Sequence, residues 1–434
     1  MDIEIHRYNM QRSIADSIHA NERNSAPQVE ITFGGSNANI CHGSGVSTKT
    51  LSDLVVAVEF VNALGEVQIV SDPDQLKAVA GSFGLFGVVT CLTLRMDEMT
   101  IAKMNTKKIQ VQCTIPPYEG FVVPKKLQKK DKSSEWMRQE GWDKFVHSVK
   151  NDYYVEWFWF VWSGECWVNC WDTARKEDIP EDDIREEYPG EAKTKFQEAM
   201  ETMAHLANST VFKAYPPKFQ IKMFSTMAIT ALPEEQVNTY VVNALHFQRG
   251  IHNMRVYDLE LEIPIEAKAD DPNEPDLEVV KKAWWDIIAL TYDKEFKKKE
   301  DYPLRLALEM RIFGGSDIHM APVAGNKWTC SIEVLTTQDT HLDKWEHFMQ
   351  RVTDAWCKLH PNVRPHWAKQ LPKTMYGMDT KDWIREAYKE NILRFREAMI
   401  AVGKCAEGGT IQPKDNQMMF SNPFFDYVLD KLWQ

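Results

Sequence analysis

The chain has 434 residues, 44% hydrophobic and 26% charged, and a formal net charge of -12. At roughly 150 residues per domain this is enough for two or three domains and a substantial core. The acidic balance, with a pI near 5.6, excludes a phosphate-backbone binder, which needs a clustered basic excess.

The N-terminal MDIEIHRYNMQRSIADSIHA has no apolar signal core, and no stretch reaches the roughly 18 apolar residues of a membrane helix. Eight cysteines without a paired framework fit reduced thiols. These features predict an intracellular protein, cytoplasmic or mitochondrial.

FGGSNANICHGSG, residues 33–45, reads as a loop of small residues. After it, LSDLVVAVEFVNALGEVQIV predicts two strands joined by a turn at Ala63 to Glu66. Asp72 as N-cap, Pro73 at the first helical position and Gln75 three residues after the cap predict a short helix through Ala80. Gly81 ends it, and SFGLFGVVTCLTLR supplies two more glycines before a strand from Val88 to Arg95.

The basic run PKKLQKKDK, Pro124 to Lys132, is interrupted by polar residues and reads as a solvated loop. Tyr153 to Trp162 and Cys166 to Trp171 read as an aromatic hairpin. Cys166 and Cys170 have no second pair at zinc spacing, so no metal is expected. RVYDLELEIPI, Arg255 to Ile265, is a strand with Leu259, Leu261 and Ile263 on one face, and LEVVKKAWWDIIALTY is a helix. The strands RLALEMRIF and CSIEVLTT are joined by about fifteen residues, a length that suggests a binding loop. HLDKWEHFMQRVTDAWCKLH carries an apolar stripe at helical spacing, VRPHWAKQLPKTMYGM is irregular, and KDWIREAYKENILRFREAMIAVG is one long helix. Strands and helices mix without regular alternation, which predicts an α+β fold.

In RLALEMRIF, alternation puts Leu306, Leu308, Met310 and Ile312 on one face and Arg305, Ala307, Glu309 and Arg311 on the other. Glu309 and Arg311 in an apolar strand imply a structural ion pair or a site. His366 and Lys369, in PHWAK, are a second candidate pair, though a histidine beside a tryptophan is commonly a packing residue.

FGGSNANICHGSG, SDLV, FGLFGVVTCLTLR, EMRIFGGSDIHMAP, RPHWAK and MFSNPFFD, in this order over residues 31–434, resemble the FAD-linked oxidases with the vanillyl-alcohol-oxidase (PCMH-type FAD-binding) fold. The resemblance is nearest the branch of D-arabinono-1,4-lactone, L-gulonolactone and alditol oxidases. It implies a partial FAD-binding domain at 1–105, a substrate domain with a large antiparallel sheet at 106–362, and a returning C-terminal segment at 363–434. It places Gly34, Gly35, His42, Gly43, Ser44 and Gly45 at FAD, with Ser52, Asp53, Gly87 and Val88 as neighbours. Glu309, Arg311, His366 and Lys369 become the catalytic set. Arg311 and Lys369 would stabilise a reduced flavin, and either Glu309 or His366 would be the base.

The chain departs from that pattern in two ways. The first glycine is Gly34, so the first FAD lobe, with its glycine-rich loop, is expected to be missing. Ile40 and Cys41 stand where the family has a Gly-Thr pair, and a branched side chain there is expected to crowd the cofactor.

The resulting expectation is an FAD-dependent oxidoreductase acting on a small polyol or sugar lactone, with oxygen or another electron acceptor and no nucleic-acid partner. Peripheral association with a membrane is compatible with the resemblance. The alternatives are a flavin-free relative that binds without catalysis, and a sterol or aromatic-alcohol oxidase of the same fold.

Overall fold

Short β-branched runs make the first sheet of the computed structural model, which describes residues 2–6, 20–21, 32–186, 202, 209–245, 256–298 and 302–434. Its strands are β1 (Asp2–His6), β2 (Val55–Val61), β3 (Val67–Val70) and β4 (Val88–Arg95), in the antiparallel order β1-β4-β2-β3. The Asn62 side chain fixes the turn between β2 and β3 by accepting from the amides of Leu64 and Glu66.

The small-residue segment does not begin as a loop. It opens with helix α1 (Phe33–Ala38), because Thr32 caps it, accepting from the Gly35 amide at 3.1 Å. Helix α2 (Pro73–Val79) follows its sequence signal, with Asp72 accepting from the amides of Asp74 and Gln75. The Ile40 side chain is buried beside Gly81, whose Cβ would stand 2.6 Å from Ile40 Cγ1. The cost is local, a β-branched residue at φ +56°.

The second sheet has nine strands. They are β5 (Ile101–Asn105), β6 (Lys107–Gln110), β7 (Tyr154–Phe160), β8 (Glu165–Ala174), β9 (Gln236–Tyr240), β10 (Val256–Ile265), β11 (Ala307–Gly314), β12 (Trp328–Thr337) and β13 (Arg364–Pro365). Their order is β9-β5-β8-β7-β11-β12-β10-β13, with β6 also on β8, and all pairs are antiparallel.

Three helices lie on the β7–β8 side. The basic run is not a bare loop: α3 (Lys125–Gln128) forms because Leu127 buries into the core. The longer α4 (Glu135–Asn151) follows, and α5 (Pro217–Ala231) packs on the hairpin, with Ser225 Oγ donating to the Val161 carbonyl at 2.7 Å.

Leu259, Leu261 and Ile263 of β10 face the core expected for them, joined there by α6 (Glu278–Leu290) and α7 (Leu342–Trp356). Trp284, Trp285, Trp345 and Trp356 are all fully buried at this layer, which is where much of the chain's aromatic content goes.

The C-terminal stretch is two helices, α8 (Thr380–Ala387) and α9 (Lys389–Lys404), not one. Tyr388 breaks the run at φ -106°, ψ 9°, with its ring buried against the Arg364 guanidinium (4.4 Å) and Trp367 (5.2 Å). The break lets α9 return to α2 while α8 packs on the last turns of the chain. No helix among the described residues is long and apolar enough to cross a membrane.

Gly45 joins the two sheets. Its amide donates to the Ile312 carbonyl at 2.8 Å, its φ is +94°, and an added Cβ would lie 2.1 Å from the Tyr153 carbonyl oxygen. Gly45→Ala is expected to lower stability by roughly 3 kcal/mol or more, and Gly65→Ala, at φ +79° with open space around it, by only about 1 kcal/mol. Chemical denaturation of the two variants checks the difference.

Candidate active site

Residues directly opposite on antiparallel strands share a face, so the register of the second sheet defines transverse rows. One row runs Glu156, Arg311, Ser331, Glu262, Arg364 across β7, β11, β12, β10 and β13. The next runs Glu309, Glu333, Glu260 across β11, β12 and β10. Asp258 extends the polar face along β10. Glu156, Glu260, Glu262 and Glu309 are all buried, a placement that is costly unless each charge is paired or neutralised.

Two cations do most of the pairing. Arg311 sits between Glu309 and Glu156, its Nη2 donating to both, at 3.0 Å for Glu156 Oε1. Tyr154 also donates to Glu156 Oε1, at 3.0 Å, and Asn169 to Glu156 Oε2 at 3.1 Å. Lys369 donates to Asp258 and Glu333 and stands 3.6 Å from Glu260. The PHWAK segment reaches this position by running along β10, where the His366 amide donates to the Glu260 carbonyl and the Gln370 amide to that of Asp258.

His42 enters from the small-residue segment. Its Nδ1 donates to the Gly43 carbonyl and its Nε2 to Glu260 Oε1, both at 2.8 Å, so both nitrogens carry protons. Its ring stacks on Phe313, with centroids 4.1 Å apart and planes 2° from parallel. Ser331 Oγ gives Glu260 Oε1 a further hydrogen bond at 2.7 Å.

The protonation states follow from these contacts. Burial opposes the imidazolium of His42, but Glu262 and Glu260 outweigh it and raise its pKa. Burial likewise opposes the charges of Glu260 and Lys369, yet Lys369 and His42 hold Glu260 well below the usual carboxylate range, and Glu333, Glu260 and Asp258 hold Lys369 well above its own. Asp258 goes the other way, pushed up by burial and by the Glu333 carboxylate. Glu262 is pushed up to about 8, mainly by burial, and neither of its oxygens has a hydrogen-bond partner. His366 is lowered to about 4 by burial, and its Nδ1 accepts from the Ala368 amide at 3.2 Å. Burial also pushes the Cys41 thiol up to about 12.

All four expected catalytic residues, Glu309, Arg311, His366 and Lys369, thus lie on one polar face. The expected cofactor residues divide. Gly34, Gly35 and Val88 lie on α1 and β4, which pack together; a Cβ on Gly34 would meet nothing within 4 Å, and Val88 is exposed. Ser44 donates to the Val155 carbonyl and Ser52 to that of Asn37, while Asp53 accepts from Thr50, Ser316 and Asp317. Gly87, at φ +156°, packs against the Val61 carbonyl, and Gly43 supplies the carbonyl under His42.

The sequence reading passed over Asp258, Glu260, Glu262, Glu333 and Glu156. The period-two alternation that placed the leucines of RVYDLELEIPI on one face puts three acids on the other, and CSIEVLTT and YYVEWFWF each add one. Among the described residues, His42, Glu260, Glu262 and His366 are also the one group with ligand atoms close enough for a metal ion, all within 4.8 Å of one another. In this structure the His42–Glu260 ion pair occupies that geometry.

No family model matches the chain, and no curated protein matches its sequence. Its fold, however, is shared along its whole length with solved cholesterol oxidases. The enzyme from B. sterolicum superposes with a TM-score of 0.70 at 13% identity, covering 99% of this chain and 81% of that one. A histidine-to-alanine variant of the Brevibacterium sterolicum enzyme gives 0.69 at 13% identity, covering 99% and 81%. A solvent-stable cholesterol oxidase gives 0.66 at 10% identity, covering 99% and 82%. At such identities the likeness is one of fold: α+β, with a large antiparallel sheet.

Two outcomes are expected of substitutions here. Arg311→Ala leaves Glu156 and Glu309 buried without their cation and should cost about 3–5 kcal/mol in denaturant unfolding. Glu262 tests the pH dependence. Between 4.5 and about 8 the folded protein holds a proton on Glu262 that the unfolded chain has released, so this group removes stability as pH rises through that window. Glu262→Gln keeps the neutral form, so its melting temperature should gain on the parent by about 2 °C or more between about pH 5 and pH 8. A constant difference across the range would contradict a proton on Glu262.

Proposed function

We propose that the protein is an FAD-dependent oxidoreductase that oxidises a hydroxyl group of a small polyol or sugar lactone. One observation carries this reading: two fixed cations, Arg311 and Lys369, and a neutral imidazole, His366, gather on the sheet face met by the His42 segment. The family resemblance of the sequence and the shared cholesterol-oxidase fold support it.

Gly34, where an added Cβ would meet nothing within 4 Å, leaves open space beside α1 that suits the close approach of a flat, anionic group. FAD held there would accept the hydride from the carbinol carbon. This chain's residues have the remaining work. Arg311 and Lys369 supply fixed positive charge where negative charge develops. With Nδ1 of His366 occupied by the Ala368 amide, its proton sits on Nε2, so His366 donates to the substrate oxygen and orients it. Glu309, a carboxylate held by Arg311, is then the group able to take the hydroxyl proton.

A second reading has its own support. Ser44, Ser52 and Asp53 spend their polar groups within the protein, which is what a flavin-free binding protein of this fold would do. A sterol substrate, suggested by the names of the structural neighbours, is the third arm of the test.

An absorbance spectrum with added FAD near ~450 nm, followed by anaerobic addition of alditols, aldonolactones or cholesterol, separates the three. The expected result is a bound flavin bleached by a polyol or lactone. Bleaching by cholesterol alone would move the substrate to sterols, and a folded protein without flavin would leave a binding role. In the flavin-bound protein Glu309→Gln should retain the cofactor and slow reduction by about 10²–10⁴-fold.

A further inference from the structure

The basic run at Pro124 to Lys132 has a place in the fold that alcohol oxidation does not use. Lys126 and Lys130, on α3 and just past it, meet Lys218 and Lys222 of α5 around a cavity of about 350 Å³. Trp162, beyond the end of β7, and Tyr292, after α6, give it an aromatic wall. That volume is within the range of small-molecule sites.

None of the four lysines has a carboxylate partner at ion-pair distance among the described residues, in a chain with 63 acidic residues against 51 basic ones. Converging ammonium groups repel one another, and an anion among them removes that penalty. Lys130 registers the crowding: burial, then Lys222 and Lys126, push its pKa down.

Of the cavity's hydroxyls, Ser225 donates to the Val161 carbonyl and Thr226 to that of Lys222, while Ser163 Oγ accepts from the Glu165 amide. Lys130 gives one proton to the Trp162 carbonyl at 2.8 Å, and Lys126 lies 5.5 Å over the Trp162 ring. The lysines therefore carry the charged donors for a ligand's head, and the aromatic wall carries the apolar contact. Glu156 is five residues back along β7 from Val161, roughly 17 Å away, so an occupant would not touch the charged rows.

We propose that this cavity binds a soluble amphipathic anion, with a phosphate or carboxylate head among Lys126, Lys130, Lys218 and Lys222 and an apolar body against Trp162 and Tyr292. Calorimetric titration with octyl phosphate tests it, with octanol, inorganic phosphate and vesicles of anionic or zwitterionic phospholipid as the other arms. The expected result is one octyl phosphate per chain, binding that weakens with salt, and weaker binding of octanol and of phosphate alone.

The double variant Lys126→Gln/Lys222→Gln should weaken octyl phosphate by about tenfold or more, and the corresponding double arginine variant should restore it. Both lysines are exposed and their removal relieves mutual repulsion, so the melting temperature should not fall. The proposal is overturned if octyl phosphate does not bind, if octanol binds equally well, if the glutamine variant binds as the parent does, or if only anionic vesicles bind. Because no arm reads flavin or turnover, failure here leaves the oxidoreductase reading where it stands, and the converse holds.

Discussion

Lys369 holds together a tight cluster of buried and half-buried acidic side chains. Asp258, Glu260 and Glu333 come from two neighbouring strands of a sheet buried on both faces, and their side chains converge on one ammonium group. Without it, carboxylates a few ångströms apart would have to take up protons or water. The segment that delivers Lys369 is irregular because it has to be. It must run beside β10, exchange backbone hydrogen bonds with Glu260 and Asp258, and still turn its lysine back over the sheet.

The same demand for counter-charge ties the two sheets together. His42 belongs to the first part of the chain, yet its imidazolium is paired with Glu260 and flattened on Phe313 of the central sheet. The segment carrying it is small for that reason. Gly45 has to fit beneath the Tyr153 carbonyl, and Ser44 has to reach that of Val155. Small residues here serve the junction between sheets as much as any ligand, which explains why several of them are already satisfied within the protein.

Much of this was legible in the sequence. The strands from Val55 to Val70, the Asp72 cap, the aromatic hairpin and the leucine face of β10 follow from alternation and capping, which act over a few residues. The grouping of Glu309, Arg311, His366 and Lys369 came from the family resemblance, since nothing local links residues so far apart. Three readings were corrected by the structure, one by a local cap and two by tertiary contacts. Thr32 capped a run of glycines into a helix, Leu127 anchored a basic segment, and Tyr388 divided a helix whose periodicity looks continuous. The acidic face of β10 was visible as alternation but carries no meaning until Glu333 and Lys369 are placed beside it.

The transverse rows also bear on how the chain finds its fold. Side chains alternate across a strand, so pairing β10 with β12 one residue out of step would carry Asp258, Glu260 and Glu262 to the side lined by Trp284 and Trp356. Leu259, Leu261 and Ile263 would meanwhile face Lys369. Such a mispaired sheet would bury three acids in an aromatic layer with no cation in reach, so it has no low-energy form in which to persist. The charges on this face therefore act as a registration mark, selecting a single alignment of the central strands during folding.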